Sequence, residues 1–152
     1  MPSYMIHLAV AKKYLETHKE KDPCTFYAGV MAPDVLEKPA SHFGSCSSEP
    51  GLSRFALEIG LDNSYKRGYF LHLVTDYLFY NKHLSGFSKE IYRDYDVINS
   101  QICQRYGICP PRSVAHVVKF IDGNTTFLDK DRLFEFIESF ESIDLSDFTA
   151  IG

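Results

Sequence analysis

A histidine and an aspartate interrupt the apolar segment "GYFLHLVTDYLFYNKHL" at residues 68–84. They are His72 and Asp76, four positions apart. On a helix, residues four apart lie on one face with β-carbons about 5 to 6 Å apart, so this imidazole and this carboxylate can bind one cation. A lone pair of this kind also fits an ordinary hydrogen-bonded pair in a helical core, because buried polar side chains usually find partners. The chemistry therefore depends on which other polar side chains join the pair.

Three more residues of the same types occupy unusual positions: His7, Asp34 and His42. His7 lies in an apolar stretch near the N-terminus, Asp34 follows "GVMAP", and His42 lies in "ASHFG". Each alone fits a common role, as a core histidine, a turn residue and an exposed loop side chain. Imidazole nitrogens and carboxylate oxygens are also the ligands of hydrolytic zinc sites, which keep one position open for water. Three histidines and two aspartates in separate segments can converge at one end of a helical bundle.

The spacing of apolar residues predicts that these segments are helices joined by one long loop. Predicted helices cover residues 4–18, 24–32, 52–61, 63–83, 88–106 and 130–142. The second must end by Ala32, because the residue before Pro33 is disfavoured in the helical conformation. Residues 33–51 form the longest predicted loop, and long loops in compact domains are often functional. Since no alternating strand pattern persists, we predict an all-α protein with a single domain, residues 1–152.

Composition and charge limit the classes of function. A chain of 152 residues, with 45% hydrophobic and 24% charged residues, is typical of one globular domain. Its formal net charge of -4 argues against nucleic-acid duplex binding, which requires clustered lysine and arginine, but leaves a small phosphoester as a substrate. No segment approaches the 18 to 20 or so apolar residues of a transmembrane helix.

The N-terminal segment and the cysteines predict a cytoplasmic location. The first apolar stretch follows no cationic region and is interrupted by His7, which does not fit a signal peptide. The cysteines contain no CxxC pair and are expected to be reduced, small buried side chains. They are Cys24, Cys46, Cys103 and Cys109.

The ordered series "MIHLAVAKKYL", "FYAGVMAPDV", "SHFG" and "GYFLHLVTD" resembles the zinc-dependent phospholipase C family. The fold of that family is a compact helical bundle related to that of the zinc-dependent single-strand nucleases. The resemblance covers about residues 1–84, and residues 85–152 are expected to form a helical cover. It implies a metal-dependent hydrolase that uses a metal-activated water on a small phosphoester, either a phosphodiester or a phospholipid-like molecule.

The resemblance also implies a ligand set for zinc. Asp76 would bridge two ions, and Asp34 would be a ligand that also acts as the base on the attacking water. The aromatic side chains of Phe43, Tyr69 and Tyr77 are candidates to line a pocket. The expected ligands are His7, Asp34, His42, His72 and Asp76.

Two departures from the family pattern reduce the expected number of ions. A later HxxxE pair is missing, because His116 is followed four residues later by Phe120. His83 lies about 16 Å from His72 along a straight helix, and joins the centre only if the helix breaks near Asn81. We therefore expect one or two zinc ions, or another divalent transition metal, rather than three.

Two alternatives remain open. An HD-type phosphohydrolase is also a helical metalloenzyme, although its pattern requires an adjacent His-Asp pair that this chain lacks. A helical scaffold or interaction protein with a structural metal, or with none, fits the shortened ligand set. Asp94 and Asp96 are candidates for an outer layer of residues that contact the ligand side chains and not the metal.

Overall fold

The computed structural model describes residues 3–36 and 39–152. Residues 37 and 38 of the predicted long loop lie outside these ranges, as do residues 1 and 2. Within them the only β-structure is an isolated bridge between Cys46 and Glu49, so the described chain is all-α, as predicted. The α-helices are Tyr4–Thr17 (α1), Pro23–Val35 (α2), Leu52–Glu58 (α3), Ser64–Leu78 (α4), Ile91–Tyr106 (α5) and Lys130–Glu138 (α6). Shorter helical turns are Pro39–His42, Phe79–His83, Ser139–Ser142 and Leu145–Phe148.

The helix ends follow local sequence signals. The side chain of Ser3 accepts a hydrogen bond from the Ile6 N–H at the start of α1, and Asn63 does the same for Lys66 at the start of α4. Each satisfies a backbone donor that has no partner inside the helix. Helix α5 ends at Tyr106, and the φ of 64° at the following Gly107 lies in the left-handed region that glycine tolerates. These boundaries agree with the predicted ones.

Helices α2 and α4 cross at backbone contact. A β-carbon on Gly68 would lie 2.1 Å from the Phe26 carbonyl oxygen, and one on Gly29 would lie 2.1 Å from the Tyr65 carbonyl oxygen. Only glycine allows this approach at both positions. The crossing holds the helix that carries His72 against the helix that ends at Asp34.

The predicted end of α2 at Ala32 is wrong. The helix continues through Pro33 to Val35, and the Leu36 N–H closes the last turn on the Ala32 carbonyl at 2.9 Å. A proline removes the hydrogen bond to the carbonyl four residues before it, here that of Gly29. Because the last turn has few bonds left to lose, α2 tolerates Pro33.

The C-terminal part of the chain packs against α1. Helices α5 and α6 and the turn Ser139–Ser142 all contact α1. Residues 107–129, between α5 and α6, contain no α-helix. The fully buried carboxylate of Asp94 holds this segment by accepting the N–H groups of Thr126, Phe127 and Leu128 at 2.7 to 2.9 Å. Asp94 therefore anchors a loop instead of supporting the candidate ligands.

The cysteines differ from the prediction in their burial. All four are free thiols, but Cys103 is half-buried and the other three are exposed. Among the described helices, none combines the length and the apolar character that crossing a membrane requires.

Candidate metal centre

The structure brings the five predicted ligands together at one buried site. His7 lies in the first turns of α1, Asp34 in the last turn of α2, and His42 at the end of the turn that follows. His72 and Asp76 lie on one face of α4. Four of the five side chains are at most 1% exposed, and His42 is 10% exposed.

The two carboxylate oxygens of Asp76 face different imidazoles. Oδ1 lies 3.1 Å from His7 Nε2. Oδ2 lies 3.1 Å from His42 Nε2 and 3.3 Å from His72 Nε2. The carboxylate of Asp76 therefore faces His7 on one side and both His42 and His72 on the other.

Asp34 completes the larger set. Its Oδ1 lies 3.4 Å from His42 Nε2 and 3.5 Å from His72 Nε2. Together with Oδ2 of Asp76, this gives two oxygens and two nitrogens with measured separations of 3.1 to 3.5 Å. Four ligands about 2.0 to 2.1 Å from a tetrahedral zinc ion lie about 3.3 to 3.4 Å from one another. The spacing of these donors fits one such ion.

The directions of the donor atoms support a cation between them. Despite the short separations, the Nε2 atoms and all four carboxylate oxygens of the five residues make no hydrogen bond within the described residues. A buried polar atom without a partner is costly and rare, and a cluster of them indicates a missing partner. Imidazole and carboxylate together suit zinc and similar divalent transition metals. These residues therefore fit a metal ion.

Two overlapping groups of residues are close enough to hold an ion. One consists of Asp34, His42 and His72, and the other of His7, His72 and Asp76. Because His72 offers a single free nitrogen, the two groups share it. The arrangement accommodates one ion in the larger set, and leaves His7 Nε2 and Asp76 Oδ1 for a second.

Hydrogen bonds behind the ligands orient two of the imidazoles. His72 Nδ1 lies 2.7 Å from the Val30 carbonyl oxygen. His42 Nδ1 lies 3.2 Å from Ser41 Oγ, and Ser41 in turn donates to the Pro33 carbonyl at 2.8 Å. Bonding of Nδ1 in this way leaves Nε2 to face the centre, as in many histidine metal sites.

Tyr69 belongs to this supporting layer. Its hydroxyl donates to the Ser41 carbonyl. Phe43, another predicted pocket residue, packs edge-on against Tyr69 and Phe55. These aromatic rings hold the turn that carries His42.

The charges of the metal-free site are balanced. Burial opposes ionisation of Asp34 and Asp76, but the nearby imidazoles, His72 foremost, hold the pKa of both carboxyls well below the usual range. Burial also disfavours protonated histidine, yet the carboxylates raise the pKa of His42 to about 9 and that of His72 to about 10. Burial, and then the charge of His72, lowers the pKa of His7. Without metal, two imidazolium cations thus neutralise two carboxylates.

His83 lies outside both groups of donor atoms. The chain does change from α-helix to π-helix at Phe79, near the break that His83 would need. Its ring nevertheless packs between Phe79 and Phe136, with centroid distances of 5.4 and 5.0 Å. His116 is an exposed side chain in the segment without helix.

Sequence reasoning missed Ser41 and Tyr95. Ser41 orients His42, but a serine beside a loop histidine carries no distinguishing pattern. Tyr95 is 6% exposed, and its hydroxyl makes no hydrogen bond within the part of the chain that the structure describes. Tyr95 lies between Asp94 and Asp96, and neither its type nor its spacing predicts a polar role.

Comparisons with known proteins identify no relative. No family model matches the chain. No curated protein matches it, and no solved structure does. Functional assignment therefore depends on the residues and their geometry.

Proposed function

We propose that this protein is a zinc-dependent phosphoester hydrolase with a helical bundle of the phospholipase C type. One observation carries the proposal: Asp34, His42, His72 and Asp76 direct four donor atoms at one another across 3.1 to 3.5 Å without hydrogen bonds. A cluster of buried donor atoms without hydrogen bonds is rare in a protein core and fits a bound cation.

The residues of the centre have separate roles in this proposal. A bound zinc ion supplies Lewis acidity and lowers the pKa of a coordinated water towards 7. His42, His72 and Asp34 would hold one ion with a position left for water, and His7 with Asp76 would offer part of a second site. Asp34 Oδ2 has no hydrogen-bond partner within the described residues and would be the atom that accepts the proton of the attacking water.

The substrate in this proposal is a small phosphoester. The net charge of -4 gives no general attraction for a phosphate backbone. The four free thiols fit a reducing compartment, and we propose the cytoplasm.

Metal analysis tests the proposal first. Protein purified without chelator is compared with a His72→Ala/Asp76→Ala double variant, and His83→Ala is the control because that imidazole lies outside the centre. We expect stoichiometric zinc in the wild type and in the control, and none in the double variant. A wild type without stoichiometric metal, even after reconstitution with zinc, would exclude the metallohydrolase.

Hydrolysis of bis-nitrophenyl phosphate by the zinc-loaded protein tests the reaction. We expect turnover that chelator removes and zinc restores. The double variant should show none, while His83→Ala should keep the wild-type rate.

A second candidate is a helical scaffold whose metal is structural. The observation that favours it is burial, because the Nε2 and carboxylate oxygen atoms of the centre are shielded from solvent. A structural site is closed, whereas a catalytic one keeps an open position. Zinc that raises the melting temperature without any phosphoester turnover would support the scaffold over the hydrolase.

A further inference from the structure

Phe43 has a backbone conformation that phenylalanine rarely adopts. Its φ of 59° lies in the left-handed region, and among the described residues it is the only residue other than glycine with a positive φ. The conformation is unfavourable for an L-residue, because the β-carbon approaches the following carbonyl oxygen. Such strain persists only where surrounding contacts hold it, and it is concentrated at functional sites. Phe43 directly follows His42, one of the candidate metal ligands.

Of the five candidate ligands, His42 depends most on its local backbone. The other four lie on α1, α2 and α4, whereas His42 ends the short turn Pro39–His42. It is also the most exposed of the five side chains. Its Nε2 nevertheless lies 3.4 Å from Asp34 Oδ1 and 3.1 Å from Asp76 Oδ2. Because a single short turn has few hydrogen bonds of its own, contacts outside it must fix the direction of this imidazole.

The left-handed residue reverses the chain directly after His42. The Phe43 N–H closes the turn on the Ala40 carbonyl at 3.0 Å, and the His42 carbonyl accepts the Gly51 N–H at 3.0 Å. A β-carbon on Gly51 would lie 2.0 Å from the Phe43 carbonyl oxygen, so the returning chain lies against this backbone. A change of φ at Phe43 would redirect the chain and break the pairing that fixes the backbone of His42.

The side chain of Phe43 holds the strained conformation. Its ring packs edge-on against those of Phe55 and Tyr69, with centroid distances of 5.1 and 6.0 Å. The hydroxyl of Tyr69 also donates to the Ser41 carbonyl, so Tyr69 contacts the residues on both sides of His42. Glycine would adopt the same φ without strain but has no ring to make these contacts. Phenylalanine therefore accepts backbone strain in exchange for a fixed turn.

We propose that Phe43 is a positioning residue of the metal centre. Its left-handed backbone turns His42 towards Asp34 and Asp76, and its ring keeps the turn in that conformation. The proposal rests on the proposed hydrolase function and adds to it a residue that acts on the ion only through His42. A residue at this position that has a β-carbon but no ring should let the turn relax, which withdraws His42 from the ion.

Two substitutions separate the backbone of Phe43 from its ring. Phe43→Ala and Phe43→Gly both remove the ring, but alanine favours a relaxed backbone, whereas glycine adopts the left-handed conformation at little cost. We expect both variants to bind zinc more weakly than the wild type. The alanine variant should bind about 5- to 30-fold more weakly than the glycine variant, because its binding-competent turn is less populated. Competition with a zinc-binding dye measures the affinities.

Ser45→Ala and Ser45→Gly are the matched control pair. Ser45 lies in the same loop and is exposed, and its φ is not positive, so glycine offers no conformational advantage there. We expect the glycine variant to bind zinc no more tightly than the alanine variant. A preference for glycine as large as that at Phe43 would show that glycine acts through loop flexibility, and would overturn the role of Phe43.

The visible absorption of bound Co²⁺ gives a readout that a loss of stability alone does not move, because the spectrum depends on the ligands around the ion. We expect the spectrum of Phe43→Ala to shift towards that of His42→Ala, and the spectrum of Phe43→Gly to match the wild type. Wild-type spectra in both Phe43 variants, with only the melting temperature lowered, would make Phe43 purely structural and overturn its positioning role.

The outcomes separate this proposal from the proposed function. A wild type that binds zinc without hydrolysing bis-nitrophenyl phosphate would refute the hydrolase, while a difference in zinc affinity between the two Phe43 variants would still support the positioning role. Turnover in the wild type, together with equal zinc affinities in Phe43→Ala and Phe43→Gly, would overturn the role of Phe43 alone.

Discussion

The imidazole rings of His7 and His72 stack face to face, with centroids 3.7 Å apart and planes inclined by 6°. The rings come from α1 and α4, so the stack brings these helices into register at the metal centre. Two stacked imidazoles this close disfavour simultaneous protonation, because like charges repel strongly in a buried site. Asp76 and Asp34 favour the proton on His72, and its charge then disfavours one on His7. His72 is therefore the protonated ring that pairs with the carboxylates of Asp34 and Asp76.

Replacing Asp76 by asparagine should abolish stable metal binding. The substitution keeps the shape of the side chain but removes the charge that faces three imidazoles within 3.3 Å. Because changes to groups that only support ligands already cost about 10- to 100-fold in metal affinity, we expect loss of a direct ligand to cost at least about 100-fold. Competition with a zinc-binding dye measures the affinity.

Asp94→Asn is the control for Asp76→Asn, because both carboxylates are fully buried. Asp94 binds three backbone N–H groups of the segment after α5. Its replacement should lower the free energy of unfolding by about 1 to 3 kcal/mol and leave zinc affinity unchanged. If both variants lose the same zinc affinity, the loss would come from a destabilised fold and not from the removal of a ligand.

Zinc binding should release protons at neutral pH. Carboxylates raise the pKa of His42 to about 9 and that of His72 to about 10, so both rings are protonated in the metal-free protein at pH 7. A metal ion needs the free electron pair of each Nε2, so binding displaces about two protons. Calorimetry in buffers of different ionisation enthalpy counts them.

The same linkage sets the pH dependence of affinity. Since the raised pKa values belong to the metal-free state, apparent zinc affinity should increase as the pH rises from 6 towards about 9, and level off above the two pKa values. His83 does not contribute, because burial lowers its pKa and it lies outside the centre. Affinity independent of pH over this range would exclude protonated His42 and His72 in the metal-free protein.

The candidate ligands stand out in the sequence because each polar group interrupts an apolar segment or follows a turn signal. His7 and Asp76 are at most 1% exposed in the structure, in agreement with their apolar neighbours. The four-residue spacing places His72 and Asp76 on one helix face, and their Nε2 and Oδ2 atoms lie 3.3 Å apart. Spacing along one helix was sufficient to place this pair.

Contacts between distant segments are what the sequence does not specify. Successive helix residues point about 100° apart, so adjacent Asp94 and Tyr95 face different surroundings. Asp94 binds a segment that begins 32 residues later, while the Tyr95 ring lies 6.4 Å from that of Phe79. Periodicity alone does not show which segment each of the two side chains meets.

Substituting Gly68 by alanine should destabilise the protein and disturb the centre. The new β-carbon would lie 2.1 Å from the Phe26 carbonyl oxygen, so α2 and α4 must move apart. Overpacking of this kind typically costs about 1 to 3 kcal/mol, and the movement separates Asp34 from His72. The free energy of unfolding, measured by urea denaturation, and the zinc affinity should both decrease. Gly86→Ala is the control, because a β-carbon there meets no atom within 4 Å; a loss in that variant as large as in Gly68→Ala would contradict the steric explanation.

Replacing Ser41 by alanine should weaken metal binding through the orientation of His42. Ser41 Oγ donates to the Pro33 carbonyl at 2.8 Å and lies 3.2 Å from His42 Nδ1, so its loss frees the ring to rotate. We expect zinc affinity to fall about 10- to 100-fold, as for other groups that orient a ligand. Ser45→Ala is the matched control, since Ser45 lies in the same loop but is exposed and donates to Glu49. Equal zinc affinities in the two variants would show that His42 is held by its backbone and by Tyr69 rather than by Ser41.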